Sequence, residues 1–282
     1  MPSNTPLTDA INALTRYANE TTGQSDTNLS AAVGTLVAGY GGGGVSLDDF
    51  VEGSEPTGAV TLSTATAIRK NVFRGDTAIT SMTGNSVLTI GDAAFQECTN
   101  LTAVSFPSAT TLGVECFRQC KLASVSFPEV TTAGNGGNLR ENINTLTSAS
   151  LPKLTAIQPY MFYNDQNLTT LDLSAATSVG NNAFQQCYSL TTLDLPKVTS
   201  IAASAFYNAR VLTTLILRHT SVVTVANANA FTNTPLSGYN SQSATVYVPQ
   251  SLISSYQTAN IWSTLYSGGH CTFTAIEGSQ YE

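Results

Sequence analysis

The stretch that decides the fold spans residues 90–107 and reads IGDAAFQECTNLTAVSFP. Its phenylalanine, Phe95, belongs to a series that recurs along most of the chain. Successive phenylalanines of the series are 22, 22, 45, 22, 22 and 25 residues apart, and the gap of 45 divides at Leu139 into 22 and 23. One unit therefore replaces its phenylalanine by leucine. The members of the series, called the anchors below, are Phe73, Phe95, Phe117, Leu139, Phe162, Phe184, Phe206 and Phe231.

Each unit also contains a short strand with alternating apolar residues. Pairs such as Val104 with Phe106 and Leu193 with Leu195 follow their anchors, and alternation places both members of a pair on one face. A unit of about 22 residues cannot enclose its apolar side chains alone, so successive units must stack into a right-handed solenoid of short β-strands and turns. The residues between the pairs are expected on the outer face: Ser105, Ser126, Asp172, Asp194 and Ile216.

The stretch at 90–107 closely resembles the BspA-like, or Treponema-type, leucine-rich repeat, and residues 179–196 and 201–217 repeat it with small changes. The resemblance covers roughly residues 60–250 and implies a leucine-rich-repeat solenoid. Proteins with such repeats are mostly bacterial surface adhesins, protozoan surface proteins, and structural proteins of phages or prophages. The resemblance therefore implies binding and not catalysis, and no cofactor.

The two ends of the chain have other patterns. Apolar residues recur at helical spacing from Leu7 to Ala18 and from Leu29 to Tyr40, which predicts a helical attachment or oligomerisation module over residues 1–40. The alternative is a helical hairpin that docks on its own chain. A glycine-rich linker and the start of an N-terminal cap are expected over 41–59, with the solenoid over 60–244. Residues 245–282 predict an α/β C-terminal cap with a strand, a helix from Leu252 to Trp262 and a last strand.

Composition excludes several classes of partner. Charged residues are only 10% of the 282 residues, the net charge is −7, and no basic stripe is present, so nucleic acid is not expected as a partner. No apolar run approaches the roughly 20 residues that span a bilayer, so membrane insertion is not expected. The first residues lack the basic segment and apolar stretch of a secretory signal, so ordinary secretion is not expected.

Candidate chemical groups are few. Cys98, Cys120 and Cys187 each lie three residues after an anchor, where we expect buried free thiols, with a Cys98–Cys120 disulfide as the alternative. The cysteines and histidines form no zinc or hydrolase pattern. Asp172 and Asp194 occupy equivalent positions in consecutive units, so stacking would bring them roughly 5 Å apart on the outer face. The pair is expected to be a solvated ladder, with a weak cation site as the alternative.

The residue after each anchor is the best candidate for recognition. It is expected to be exposed and to vary along the stack, from Arg74 and Gln96 onward, and tyrosine and arginine are common at binding hot spots. The alternative is a merely solvated ridge. The candidate residues, called the binding ridge below, are Arg118, Arg140, Tyr163, Gln185 and Tyr207, together with Tyr188 and Arg210, which lie three positions further along in their own units.

These features together predict a phage virion protein, a tail or capsid appendage, that contacts the host cell surface. Its expected partners are a host-surface glycan or protein at the ridge, and other virion proteins, or further copies of the chain, at residues 1–40. The alternative is an extracellular adhesin on a bacterial cell surface.

Overall fold

The computed structural model describes residues 44–45, 57–62, 65–142 and 145–282. These residues form a parallel β-solenoid of about seven coils, which confirms the predicted fold class. The helices predicted within residues 1–40 lie outside the described residues, and the proposed boundaries between the modules stay predictions.

The coils contribute strands to two faces, and every ladder is parallel; the coil that contains Ile157 has only an isolated bridge, Ile157 to Val179, on the second face. On the long-strand face, residues pair with partners about one repeat later, as Met82 does with Val104. The strands of this face, numbered in chain order, are β2 (Gly58–Thr61), β4 (Ile79–Thr83), β6 (Ala103–Ser105), β8 (Ser124–Ser126), β10 (Ser148–Ser150), β11 (Thr170–Asp172), β13 (Thr192–Asp194), β15 (Thr214–Ile216), β17 (Ala244–Val248) and β18 (Cys271–Ala275).

The short-strand face has two-residue strands, and five of them direct one buried apolar residue inward, such as Ile90 or Leu112. Between the two faces each coil turns past its anchor. The strands of this face are β1 (Gly44–Val45), β3 (Ala67–Ile68), β5 (Thr89–Ile90), β7 (Thr111–Leu112), β9 (Thr132–Ala133), β12 (Ser178–Val179), β14 (Ser200–Ile201) and β16 (Thr224–Val225).

The anchors form a column of stacked rings inside the solenoid. The ring centroids of Phe73, Phe95 and Phe117 are 5.3 Å apart in succession. A second run joins Phe162 to Phe184 at 5.4 Å and continues through Phe206 and Phe231. Leu139 fills the position between the two runs and is fully buried. The aligned column predicted from the 22-residue period is therefore confirmed, with its interruption at the leucine unit.

A polar seam lies next to this interruption. Asn138, Asn142 and Asp165 are all fully buried. Asp165 Oδ1 accepts a hydrogen bond from the Asn142 N–H at 2.8 Å, whereas Asp165 Oδ2 has no hydrogen-bond partner. Burial raises the pKa of Asp165 well above its usual value, and the nearby Glu141 carboxylate acts in the same direction. Asn138 Oδ1 has no hydrogen-bond partner either. The polar seam therefore leaves two buried oxygen atoms without a hydrogen bond.

Three cysteines occupy the turn that Asp165 occupies in its own coil. The Sγ atoms of Cys98, Cys120 and Cys187 donate to the carbonyl of the anchor one coil earlier, at 2.8, 3.1 and 3.2 Å. All five cysteines are buried free thiols, as expected, and no disulfide joins Cys98 to Cys120. Burial raises the pKa of the Cys98 thiol to about 12. These thiols therefore connect adjacent coils and are kept protonated.

The C-terminal cap continues the long-strand face. Strand β17 pairs with β15, and β18 pairs in parallel with β17 after a helical crossover. The sequence predicts one helix in the crossover, whereas the structure has three short helices: a 3-10 turn at Gln250–Leu252, α1 (Ile253–Thr258) and α2 (Asn260–Ser267). None of the described helices is long and apolar enough to cross a membrane.

The helix break at Ala259 has a packing reason. Ala259 is extended, at φ −77° and ψ 125°, and the break allows both Tyr256 and Trp262 to face the core, where their rings meet at 5.5 Å. The Val223 N–H donates to Tyr256 Oη at 3.0 Å, and Trp262 Nε1 donates to the Val223 carbonyl at 2.7 Å. Trp262 also continues the phenylalanine column, 5.3 Å from Phe231. The cap therefore closes the end of the aromatic column.

One residue predicted on the outer face is buried. Ile216 is only 2% exposed, although the strand register places it on that face between Asp194 and Tyr247. The ion pair of Asp194 with Arg218 and the large ring of Tyr247 flank it. The outer face is thus closed by larger side chains where it approaches the cap.

Candidate binding ridge

Left-handed turns fix the backbone of the ridge. The second residue after an anchor has positive φ in successive coils, for example 61° at Glu141, 62° at Asn164 and 63° at Gln186. Its N–H donates to the ridge residue of the next coil, as Glu141 does to the Tyr163 carbonyl at 2.9 Å. Such backbone is unfavourable for residues other than glycine, asparagine and aspartate. The coils therefore hold each ridge residue in a fixed position at a local conformational cost.

The ridge is less exposed than predicted. Six of its seven residues are half-buried, and only Arg210 is exposed. Gln96, expected at the start of the series, is 4% exposed, and its Nε2 donates to Glu97 Oε1 at 3.2 Å. The tight turn after each anchor draws the side chain against the neighbouring coils. The prediction that these residues are exposed is therefore wrong for Gln96 and for the six half-buried residues, and it holds for Arg74 and Arg210.

The arginines at the N-terminal end of the ridge are paired with carboxylates. Arg118 Nε lies 3.1 Å from Glu141 Oε2, and its Nη1 lies 3.6 Å from Glu115 Oε2. Arg140 also binds the Glu115 carboxylate. The side chains of Arg118 and Arg140 are only 24% and 21% exposed. Their main role in the structure is to join coils through charge-assisted hydrogen bonds, so this end offers little free charge to a partner.

The centre of the ridge offers aromatic and amide groups. Tyr163 meets the exposed ring of Tyr160 edge-on, with centroids 5.8 Å apart. Gln185 accepts a hydrogen bond from the side-chain amide of Asn182. Tyr207 follows one coil later and is half-buried. Aromatic rings with polar tips on a rigid frame are well suited to contact a partner with little loss of side-chain entropy.

At the C-terminal end of the ridge, Arg210 lies against two tyrosine rings. Its guanidinium carbon is 4.9 Å from the ring centroid of Tyr188 and 5.5 Å from that of Tyr239. Tyr188 belongs to the preceding coil, and Tyr239 to the short 3-10 helix Tyr239–Ser241 that follows the last anchor. Sequence analysis missed Tyr239 because it lies outside the repeat, and missed Tyr160 because it precedes its anchor.

The two aspartates of the outer face have different partners. Asp172 lies opposite Ser150, and Asp194 lies opposite Ile216, in two different sheets. Arg218 Nη2 is 3.0 Å from Asp194 Oδ2. No group of three or more His, Cys, Asp or Glu side chains that could hold a metal ion is found among the described residues. The pair therefore carries no metal-site proposal.

A shallow groove of about 450 Å³ runs along the short-strand face. It crosses four coils, from Pro159 through Gly180 and Ala202 to Ala226, and its lining is neutral. Gly180 is required there because a Cβ would lie 2.5 Å from the Pro159 nitrogen. The groove can offer hydrogen bonds and apolar contacts to an extended ligand.

A parallel solenoid with coils of about 22 residues, closed by a cap and bearing a row of aromatic and polar side chains at one turn, belongs to the class of leucine-rich-repeat proteins. The family model for the BspA type leucine rich repeat region matches six copies, over residues 66–187 and 136–260. The chain belongs to this family. Its members are commonly cell-surface or extracellular proteins.

Solved structures with a similar repeat are distant. A leucine-rich repeat protein from Bacteroides ovatus is 17% identical over 67% of this chain, with a TM-score of 0.40. A leucine rich cell surface protein from Faecalibacterium prausnitzii is 14% identical over 74% of this chain and 81% of its own, with a TM-score of 0.35. The chain covers 63% of the B. ovatus protein. The comparison with curated proteins gives no match.

Proposed function

We propose that this protein is a non-catalytic binding protein that recognises a glycan or protein on a host cell surface through its binding ridge. The observation that carries the proposal is the row of half-buried Tyr163, Gln185 and Tyr207, which the left-handed turns after the anchors hold at equivalent positions of three consecutive coils. Tyr188, three residues after Gln185, adds a further half-buried ring. A partner would thus meet aromatic surface that is already ordered.

The test removes two rings and leaves the Arg210 cluster intact. The double variant Tyr163→Ala/Tyr207→Ala is expected to bind host cells at least tenfold more weakly than the wild type, because aromatic side chains that a partner covers carry much of the binding energy of an interface. Binding of labelled full-length protein to cells, measured by flow cytometry, gives the affinity.

The matched control is Tyr266→Ala, which removes an equally large ring that is 41% exposed on the cap and away from the ridge. It is expected to bind as the wild type does. Thermal unfolding of all three proteins should remain cooperative. Undiminished binding by the folded double variant would refute the ridge as the contact surface.

We further propose that a phage virion carries the protein, with residues 1–40 joined to other virion proteins or to further copies of the chain. Under this proposal, antibodies against the solenoid detect the protein on purified phage particles. Detection on intact bacterial cells, and not on particles, would instead support the alternative of a cell-surface adhesin. The ridge would serve the same contact in either setting.

A further inference from the structure

The cluster of Arg210, Tyr188 and Tyr239 differs from every other arginine site in the ridge. Arg118 and Arg140 contact carboxylates, whereas Arg210 contacts two aromatic rings. Among the residues that the structure describes, Arg210 has no hydrogen-bond acceptor and no acidic partner for its guanidinium. Its five N–H donors are therefore unused by the protein itself.

Contact with the rings fixes the guanidinium without consuming its donors. A ring attracts the cation through its π face, while the N–H groups of a guanidinium lie in its own plane. Because Tyr188 and Tyr239 come from the segments before and after the Arg210 coil, they restrict the side chain along the stack. Arg210 is nevertheless exposed. A fixed, accessible fork of donors matches the geometry of a carboxylate.

The surroundings of Arg210 are neutral. Arg210 is the only charged residue between Lys197 and Arg218, and no Asp, Glu, Lys or Arg occurs between Arg218 and Glu277. Two residues before Arg210, Asn208 Oδ1 accepts a hydrogen bond from Asn233 Nδ2 of the next coil at 2.9 Å, and both asparagines belong to left-handed turns. The site thus combines one cation with amide and hydroxyl groups, and it complements a ligand with one carboxylate among neutral hydroxyls.

From this geometry we infer that Arg210, flanked by Tyr188 and Tyr239, binds the carboxylate of an acidic sugar unit in a glycan. The inference rests on the proposed function and names its ligand chemistry. An acidic peptide segment, with several neighbouring carboxylates, would meet only one cation here. A sugar acid presents a single carboxylate beside hydroxyls, which the neighbouring amides can bind.

The experiment titrates the full chain with three soluble probes that carry at most one carboxylate: galacturonic acid, its methyl ester, and sialyllactose. Galacturonic acid or sialyllactose is expected to bind, and the two probes distinguish a uronic acid from a sialic acid as the source. The methyl ester keeps the sugar frame and removes the charge, so it is expected to bind at least tenfold more weakly than the free acid. Isothermal titration calorimetry or ligand-observed NMR at low ionic strength measures each affinity, because salt screens the contact.

Two variants separate the specific site from general charge. Arg210→Gln is expected to lose at least tenfold in affinity for the acidic sugar while its melting temperature stays close to that of the wild type. Lys197→Gln removes the same charge from another exposed position and is expected to bind normally. Arg210→Lys keeps the charge without the planar fork and should bind more weakly than the wild type.

Several results would overturn the inference. These are equal binding of acid and ester, undiminished binding by Arg210→Gln, binding of neither acidic probe, and preference for a glutamate-rich peptide over both acidic sugars. The inference fails alone if the Arg210→Gln variant attaches to host cells normally while the Tyr163→Ala/Tyr207→Ala variant does not. If neither variant loses cell binding, the proposed function fails as well.

Discussion

Replacing Phe184 by alanine is expected to lower the free energy of unfolding by about 3 to 5 kcal/mol. The ring is fully buried in the middle of the longer run of the column, with neighbouring ring centroids at 5.4 and 5.3 Å. The substitution removes its burial and both stacking contacts, and the rigid coils above and below cannot close the cavity. Urea denaturation followed by circular dichroism measures the loss.

A milder variant keeps this prediction testable if alanine prevents folding. Phe184→Leu copies the coil that already has leucine at its anchor and is expected to cost less than the alanine variant, since it leaves a smaller cavity. The control is Leu88→Ala, at a position that is 47% exposed, where the expected change is within about 0.5 kcal/mol. A loss below about 1 kcal/mol in Phe184→Ala would contradict a column that stabilises the stack.

Asp165→Asn is expected to stabilise the protein by about 2 kcal/mol or more at neutral pH, because it removes a buried carboxyl with an unpartnered oxygen. The amide keeps an oxygen for the Asn142 N–H and adds donors. The neighbouring Asn142 already uses its side-chain amide as a donor, since its Nδ2 donates to the Phe117 carbonyl at 3.1 Å. Thermal and urea unfolding of the wild type and the variant measure the gain.

The same group predicts a dependence on pH with a definite sign. The pKa of Asp165 is raised in the folded state above its usual value of 3.8, so between these two values the unfolded chain binds fewer protons than the folded chain. The contribution of Asp165 to stability is therefore complete below the usual pKa and falls as pH rises through the folded pKa. The slope is about 1.4 kcal/mol per pH unit.

The difference between wild type and Asp165→Asn isolates this slope from the other carboxylates. That difference should increase with pH across the window and then level off. Leu88→Ala, which removes no titratable group from an exposed position, serves as the control, and its difference from the wild type should not change with pH. A pH-independent difference between wild type and Asp165→Asn would show that the buried carboxyl titrates equally in both states.

The column was predictable because its cause is strictly periodic. Every coil must fill the same interior space, so a large apolar residue recurs at the same position, and the leucine unit was visible as the one departure. The cap strands were predictable from their alternation. The helix break at Ala259 was not predictable, because it depends on the positions that Tyr256 and Trp262 occupy in the core. Local helix propensity does not contain that information.

Burial on the ridge was harder to predict than its position. The sequence locates the residue after each anchor, but the exposure of Gln96 depends on the tight left-handed turn that follows it. Ile216 is covered by side chains from other coils for a similar reason. The unpartnered Asp165 oxygen and the contact of Arg210 with Tyr239 arise between distant segments. Such pairings become apparent only when the coils are stacked.

The uniform bonding between coils has a consequence for how such a chain changes over generations. Because the anchor N–H groups bond to the coil that follows, as Phe95 does to the Cys116 carbonyl and Phe184 to the Ala205 carbonyl, neighbouring coils are nearly interchangeable units. Recombination that removes or duplicates the codons of one coil in frame would leave the C-terminal cap and the remaining bonds between coils intact. The number of coils can thus change while each coil keeps the same hydrogen bonds to its neighbours.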